Sequence, residues 1–314
     1  MLKYSIAIPA FKAKFIKECI DSILGQSYEN WELIIVNDAS PEDIDSIVSK
    51  YDDKRISYYK NEFNCGSVNV VDNWNKCLSY SSGDYLILMG DDDFLSQNCL
   101  LEYNKLIEKY PNLSVYHGRT TIVDENSDFI RLQEARPEYE SVFSLIWHRL
   151  NGRAQFIGDF LFKIEDMKTN RGFYKLPLAW GSDDISSYIA CAKSGIANTN
   201  TPIFNYRENR QTITLSGNPE IKIQAVYSMV EWISDFVNKT ECVDSVDEKL
   251  KVMIKGCLKG DIKKKHIYII ATTIKQRGPF AIIKWFRCRK KYNLSTSLIC
   301  YSFIEGLRFR YHRS

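Results

Sequence analysis

The chain has 314 residues, 45% hydrophobic and 26% charged, with only 8 Pro and 15 Gly. This composition supports one large or two modest domains with a buried core, and excludes disordered, collagen-like and low-complexity classes. The net charge of +3 is unevenly spread: residues 251–314 hold sixteen Lys and Arg against two acids, Asp261 and Glu305, whereas residues 1–250 hold 26 basic and 37 acidic residues.

Ser5–Ile8 is short and apolar and reads as a buried strand. Phe15, Ile16, Cys19, Ile20, Ile23 and Leu24 then recur at helical spacing. Trp31–Val36 is a second strand, ending at Asn37-Asp38-Ala39-Ser40. Ser40-Pro41-Glu42-Asp43 has the marks of a helix start: a capping Ser, Pro at the first position and acids in the first turn. Ile56–Tyr59 is a third strand, and Val70, Val71, Trp74, Cys77 and Leu78 mark a helix. Tyr85–Met89 is a fourth strand, stopping at Gly90-Asp91-Asp92-Asp93. Strands alternating with helices predict a mainly parallel α/β sheet with both faces covered. Ligands bind such sheets outside the carboxyl ends of the strands, where Asp38 and Asp91–Asp93 fall.

From Leu113 to Tyr206 the pattern is mixed. Strands at Ser114–His117, Phe160–Lys163 and Ile203–Tyr206 surround helices near Ser141–Leu150 and Ile185–Lys193. From Pro219 onward the chain reads as almost all helix, so the expected division is 1–218 and 219–314. The basic clusters Lys263–Lys265, Arg287–Lys291 and Arg308–Arg313 alternate with apolar stretches, a pattern suited to an anionic membrane surface through residues 261–314. No nucleic-acid-binding motif accompanies the charge, and no nucleic-acid partner is expected.

Nine Cys, an odd number without a CxxC, point to a reducing, cytoplasmic setting rather than a disulfide scaffold. Met1–Pro9 does not read as a signal peptide, and no run of about 18 apolar residues suggests a membrane span. The four His do not pair at metal spacing, and the P-loop, dinucleotide-binding and nucleophile-elbow motifs are missing.

Three consecutive carboxylates at Asp91–Asp93 repel one another unless a cation sits among them. Mg²⁺ commonly takes one or two carboxylates plus substrate phosphates. Asp38 can accept hydrogen bonds from a ribose hydroxyl or a base N–H. For Phe11 the residues alone favour a core position over stacking on a base. For Asp183-Asp184 they favour helix-start acids over a tuned general base.

Taken in order, Ser5–Phe11, Cys19–Ser27, Glu32–Ser40, Asn64-Cys65-Gly66, Asn73-Trp74-Asn75 and Gly83–Asp93 resemble the family 2 glycosyltransferases. The resemblance is close over residues 4–110 and looser over 150–215. It implies the nucleotide-diphospho-sugar transferase (GT-A type) fold, an inverting transfer from a nucleotide-sugar, and a divalent ion, Mn²⁺ or Mg²⁺. By family frequency the donor is a UDP-sugar, and the acceptor a glycan or lipid-linked glycan at the inner membrane face.

By the same resemblance Pro9, Phe11, Asp38, Asn75 and Asp91 lie on the donor side, with Phe11 against the base. Asp92 and Asp93 serve the metal, Asp92 as the direct ligand. Gly90 stands at the first position of the family's Asp-x-Asp-Asp. Asp183 and Asp184 replace its Glu-Asp, with Asp184 as base. Tyr206-Arg207-Glu208-Asn209 resembles a Tyr-Arg-x-His element in which Asn209 replaces the His. Two rival readings are a non-catalytic, nucleotide-sugar- or partner-binding relative and a nucleotidyltransferase.

Overall fold

The computed structural model describes residues 1–209 and 217–311, and for 309–311 the backbone only. It forms two compact units: Met1–Lys175 with Ser182–Arg210, and Leu176–Gly181 with the described part of Gln211–Ser314.

The first unit holds one ten-stranded sheet. Its strands are β1 (Tyr4–Ala10), β2 (Trp31–Asn37), β3 (Ile56–Lys60), β4 (Tyr85–Leu88), β5 (Phe94–Leu95), β6 (Val115–Val123), β7 (Phe129–Leu132), β8 (Tyr139–Glu140), β9 (Phe160–Lys163) and β10 (Ile196–Arg207). The order is β3-β2-β1-β4-β9-β6-β10-β5, with β7 on β6 and β8 on β10. The first four strands are parallel, with Ile6 paired to Leu33 and Ile87. β6 and β10 are also parallel, but β9 runs antiparallel between β4 and β6, so the sheet is mixed.

Helices α1 (Ile16–Leu24), α2 (Asp45–Val48), α3 (Val70–Tyr80), α4 (Cys99–Lys109), α5 (Val142–Leu150), α6 (Ile164–Thr169) and α7 (Ser182–Cys191) complete this unit. Tyr4, Ile6, Ile8 and Ala10 of β1 share a core with Cys19 and Ile20 of α1 and Leu100 and Tyr103 of α4. The intervening Ser5 and Ala7 are buried too, while α3 packs on β1 and β2. A strand covered on both faces therefore reads as a continuous apolar run. Helix α5 starts where expected: the Ser141 hydroxyl accepts the Ser144 N–H at 3.3 Å, a cap worth about 1 kcal/mol.

The start expected at Ser40–Asp43 is not a helix. Only Asp45–Val48 coils, and its capping position, Ile44, has no side-chain bond. Ser40 accepts the Glu42 N–H at 3.0 Å, but no helix follows: its hydroxyl donates to the Phe11 carbonyl at 2.5 Å, and Glu42 accepts the Ala13 N–H at 2.6 Å. Polar side chains beside a turn bond whichever backbone groups lie nearest. Here two of those groups, the Phe11 carbonyl and the Ala13 N–H, belong to the loop after β1, a tertiary contact with no local signal.

The second unit has α8 (Pro219–Lys239), α9 (Ser245–Arg277), α10 (Ala281–Cys288) and α11 (Thr296–Tyr311). Ile223, Val226, Ile269, Ile270, Ile274, Trp285 and Ile299 form its core. Glu220 ties it by accepting from Lys284 at 2.7 Å and from the Tyr292 hydroxyl at 2.6 Å. Gly181, at φ 89°, packs so closely on Met229 that a Cβ would lie 2.3 Å from its sulfur. Among the described residues no helix is long and apolar enough to cross a membrane, and all nine Cys are free thiols.

Candidate active site

The acidic turn begins after β4. A Cβ on Gly90 would stand 2.8 Å from Asp92 Oδ1 and 3.0 Å from Asp93 Oδ2, so any side chain there would make those two carboxylates shift.

The three carboxyl groups are held differently. Asp91 is buried, and its Oδ2 accepts the backbone N–H groups of Phe11 and Lys12, both at 2.7 Å. Burial, then the neighbouring Asp92, pushes its carboxyl up to about 6. Asp93 is buried and accepts the Arg207 N–H at 3.0 Å; burial and the Asp92 charge raise it well above the usual range. Asp92 is partly open, and its Oδ2 meets Lys12 Nζ at 3.1 Å and the Asn209 side-chain amide.

Beyond β2, Asp38 is buried, and its carboxylate accepts from Asn61 Nδ2 at 2.7 Å and the Cys65 N–H at 3.0 Å. Phe11 is 41% exposed, which overturns the core position favoured by the residues alone. The ring is turned outward because the backbone on either side is fixed by Asp91 and Ser40. Pro9 lies within β1 opposite Val36. Asn75 is committed elsewhere: it accepts the Phe173 N–H at 2.8 Å and donates to the Phe173 carbonyl at 3.3 Å.

Asp183 and Asp184 open α7 but differ in surroundings. Asp184 is buried, and its Oδ1 accepts from Arg149 Nε at 2.8 Å and Gln155 Nε2 at 2.6 Å. Asp183 is half-buried. Burial, then the adjacent Asp184 charge, pushes its carboxyl up to about 7, against a smaller opposing pull from Arg149.

Tyr206 connects the two acidic sites. Burial and then the charges of Asp93, Asp92, Glu208 and Asp183 raise its phenol, so it lies within the field of both pairs. Its ring stacks on Phe156 at 3.8 Å, next to the Gln155 that holds Asp184. Arg207, 1% exposed, donates to the Asp92 carbonyl at 2.8 Å and pairs with Glu18 at 2.6 Å. The structure thus brings Phe11, Asp38 and Asp91–Asp93 to the carboxyl ends of β1, β2 and β4.

The family model for glycosyl transferase family 2 matches residues 5–173. The chain belongs to that family. An uncharacterized glycosyltransferase of Rickettsia typhi is 30% identical over 168 residues, 51% of either chain. A UDP-Glc:alpha-D-GlcNAc-diphosphoundecaprenol beta-1,3-glucosyltransferase of Escherichia coli is 30% identical over 125 residues, 39% of this chain and 47% of that one. The chain thus spans about half the length of the curated relatives it matches. Among solved structures, Staphylococcus aureus TarS 1–349 with UDP-GlcNAc superposes at TM-score 0.66 and 14% identity, over 99% of this chain and 93% of that one. A Pyrobaculum calidifontis mannosyltransferase with GDP-Man and Mn²⁺ superposes at 0.56 and 16% identity, over 100% and 88%. These last two likenesses establish the fold.

Among the described residues of this family 2 chain, no cluster of three or more His, Cys, Asp or Glu is set to hold a metal. The donor set does fit an ion shared with a ligand. Asp92 is a partly open hard-oxygen donor, and Mg²⁺ or Mn²⁺ can take such a carboxylate together with substrate phosphates.

Four participants escaped the sequence reading: Lys12, Glu18, Arg149 and Gln155. Lys12 follows Phe11 directly, so its position was a usable signal. The other three act across 29 to 189 residues of sequence separation and carry no motif.

Proposed function

We propose that this chain moves a sugar from a nucleotide-diphospho-sugar to an acceptor hydroxyl with inversion. The gathering of the exposed Phe11, Asp38 and Asp91–Asp93 at the carboxyl ends of β1, β2 and β4 carries the reading, with Tyr206 stacked on Phe156 beside the Gln155 that holds Asp184. One carboxylate group suits a diphosphate site and the other suits a proton acceptor.

The donor side consists of Asp38 and the exposed Phe11 ring, with Pro9 and Asp91 fixing the loop between them. Asp38 accepts from a base N–H or ribose hydroxyl, and Phe11 lies against the base. Asp92, with Asp93 behind it, faces the diphosphate; a bound Mn²⁺ or Mg²⁺ supplies charge stabilisation there.

Asp183, rather than Asp184, takes the acceptor proton. Asp183 is the half-buried member of the pair and its carboxyl is pushed up to about 7, as suits a base near the working pH, whereas Asp184 is buried with its Oδ1 bonded to Arg149 and Gln155. The acceptor oxygen bonds to the anomeric carbon and its proton passes to Asp183. The bond to the β-phosphate oxygen breaks, and the nucleoside diphosphate leaves with the electron pair.

The acceptor is a glycan or lipid-linked glycan, and residues 261–314 meet an anionic membrane surface. The sixteen-to-two basic excess of residues 251–314 supports this contact, as do the exposed Phe280, Ile283, Tyr301 and Ile304. UDP is the favoured nucleotide.

The test is melting temperature against UDP, GDP and TDP, each with and without Mn²⁺. A ligand at a hundred times its Kd stabilises the folded state by about 2.7 kcal/mol. We expect a shift for one nucleotide, plus an Mn²⁺-dependent increment that disappears in Asp92→Ala. No shift with any of the three would sink the transferase reading in favour of a non-catalytic, partner-binding relative.

A further inference from the structure

The carboxylate that faces outward from the acidic turn already has a cationic partner from the protein. Lys12 Nζ lies 3.1 Å from Asp92 Oδ2. The Asn209 side-chain amide donates to the same oxygen. Two donors thus converge on the one oxygen, Oδ2, and a divalent ion seeking that oxygen would have to displace them. Asp91 and Asp93 offer less, because backbone N–H groups of Phe11, Lys12 and Arg207 hold them in buried positions.

Lys12 is anchored at both ends. Its backbone N–H is fixed by Asp91, while its side chain, 24% exposed, ends at Asp92. A lysine ammonium is a compact charge on a flexible stem. It can follow a diphosphate without leaving the turn.

We propose that Lys12 is the resident cation of the acidic turn: it competes with a divalent ion for Asp92 and engages the donor diphosphate, so that nucleotide binding needs metal only weakly. The competition for Asp92 rests on the ion pair alone. The diphosphate contact rests also on the transferase reading above.

The first arm of the test uses the nucleotide-free full chain and Mn²⁺ alone, followed by the resonance signal of free Mn²⁺. Lys12→Met, which removes the competing charge, is expected to bind Mn²⁺ at least tenfold more tightly than the wild type. Lys12→Arg, which keeps the charge, should stay within threefold of it. An unchanged or weaker Mn²⁺ affinity in Lys12→Met would overturn the competition.

The second arm measures UDP affinity by calorimetry in EDTA and in Mn²⁺. The wild type is expected to lose less than tenfold on removal of Mn²⁺, and Lys12→Met more than tenfold. A loss of tenfold or more in the wild type would overturn the diphosphate contact. If UDP binds under neither condition, the contact fails together with the transferase reading, and the Mn²⁺ titration still decides the competition.

Discussion

The acidic turn and the start of α7 both place consecutive Asp residues near Tyr206, yet they hold their buried members differently. Asp91 and Asp93 are held by backbone N–H groups, which carry no net charge, and their carboxyls are pushed upward. Asp184 is held by a guanidinium and an amide, while burial and the adjacent Asp184 charge push the Asp183 carboxyl up to about 7. Sequence position alone does not assign roles to adjacent carboxylates. Burial and the donors facing each carboxylate are what tell them apart.

The sharpest way to break this contrast is to exchange the roles of Asp183 and Asp184. Asp183→Asn should lower kcat by roughly 10²- to 10⁴-fold, the usual worth of a general base, with donor affinity unchanged. Equal loss of donor affinity would place Asp183 on the donor side instead. Asp184→Asn should appear first as instability. It leaves Arg149 facing a neutral amide, and breaking a buried pair costs about 3 kcal/mol, readable in denaturant unfolding. An Asp184→Asn protein of full stability without turnover would restore Asp184 as base.

The smallest of these effects is in pH. A base must be ionised, and Asp183 is pushed up to about 7. The ratio kcat/KM should therefore fall as pH drops through 7 and level off above it. A profile flat down to pH 5 would remove Asp183 from the proton path.

Much of the fold was legible. β1, β2 and β4 are continuous apolar runs because both their faces are covered, and each ends on a polar turn. Asp38 and Asp91–Asp93 were readable for the same reason. Helix α2 was misread because Ser40 and Glu42 serve a loop some thirty residues earlier in the chain. Phe11 was misjudged because its exposure depends on Asp91, 80 residues away. Arg149 and Gln155 were invisible because a buried ion pair depends on where two helices and a loop meet, and periodicity does not encode that.

Arg207 also bears on when the protein becomes competent during its synthesis. Its guanidinium joins the Asp92 carbonyl, the Asp124 carbonyl and Glu18, groups made 83 to 189 residues earlier. Until the ribosome has delivered β10, the acidic turn lacks the strand end that holds it, and the site is an open loop on a partial sheet. Contacts of such long sequence separation form late. A chain stalled before residue 207 would therefore carry every aspartate of the acidic turn and still lack the frame that arranges them.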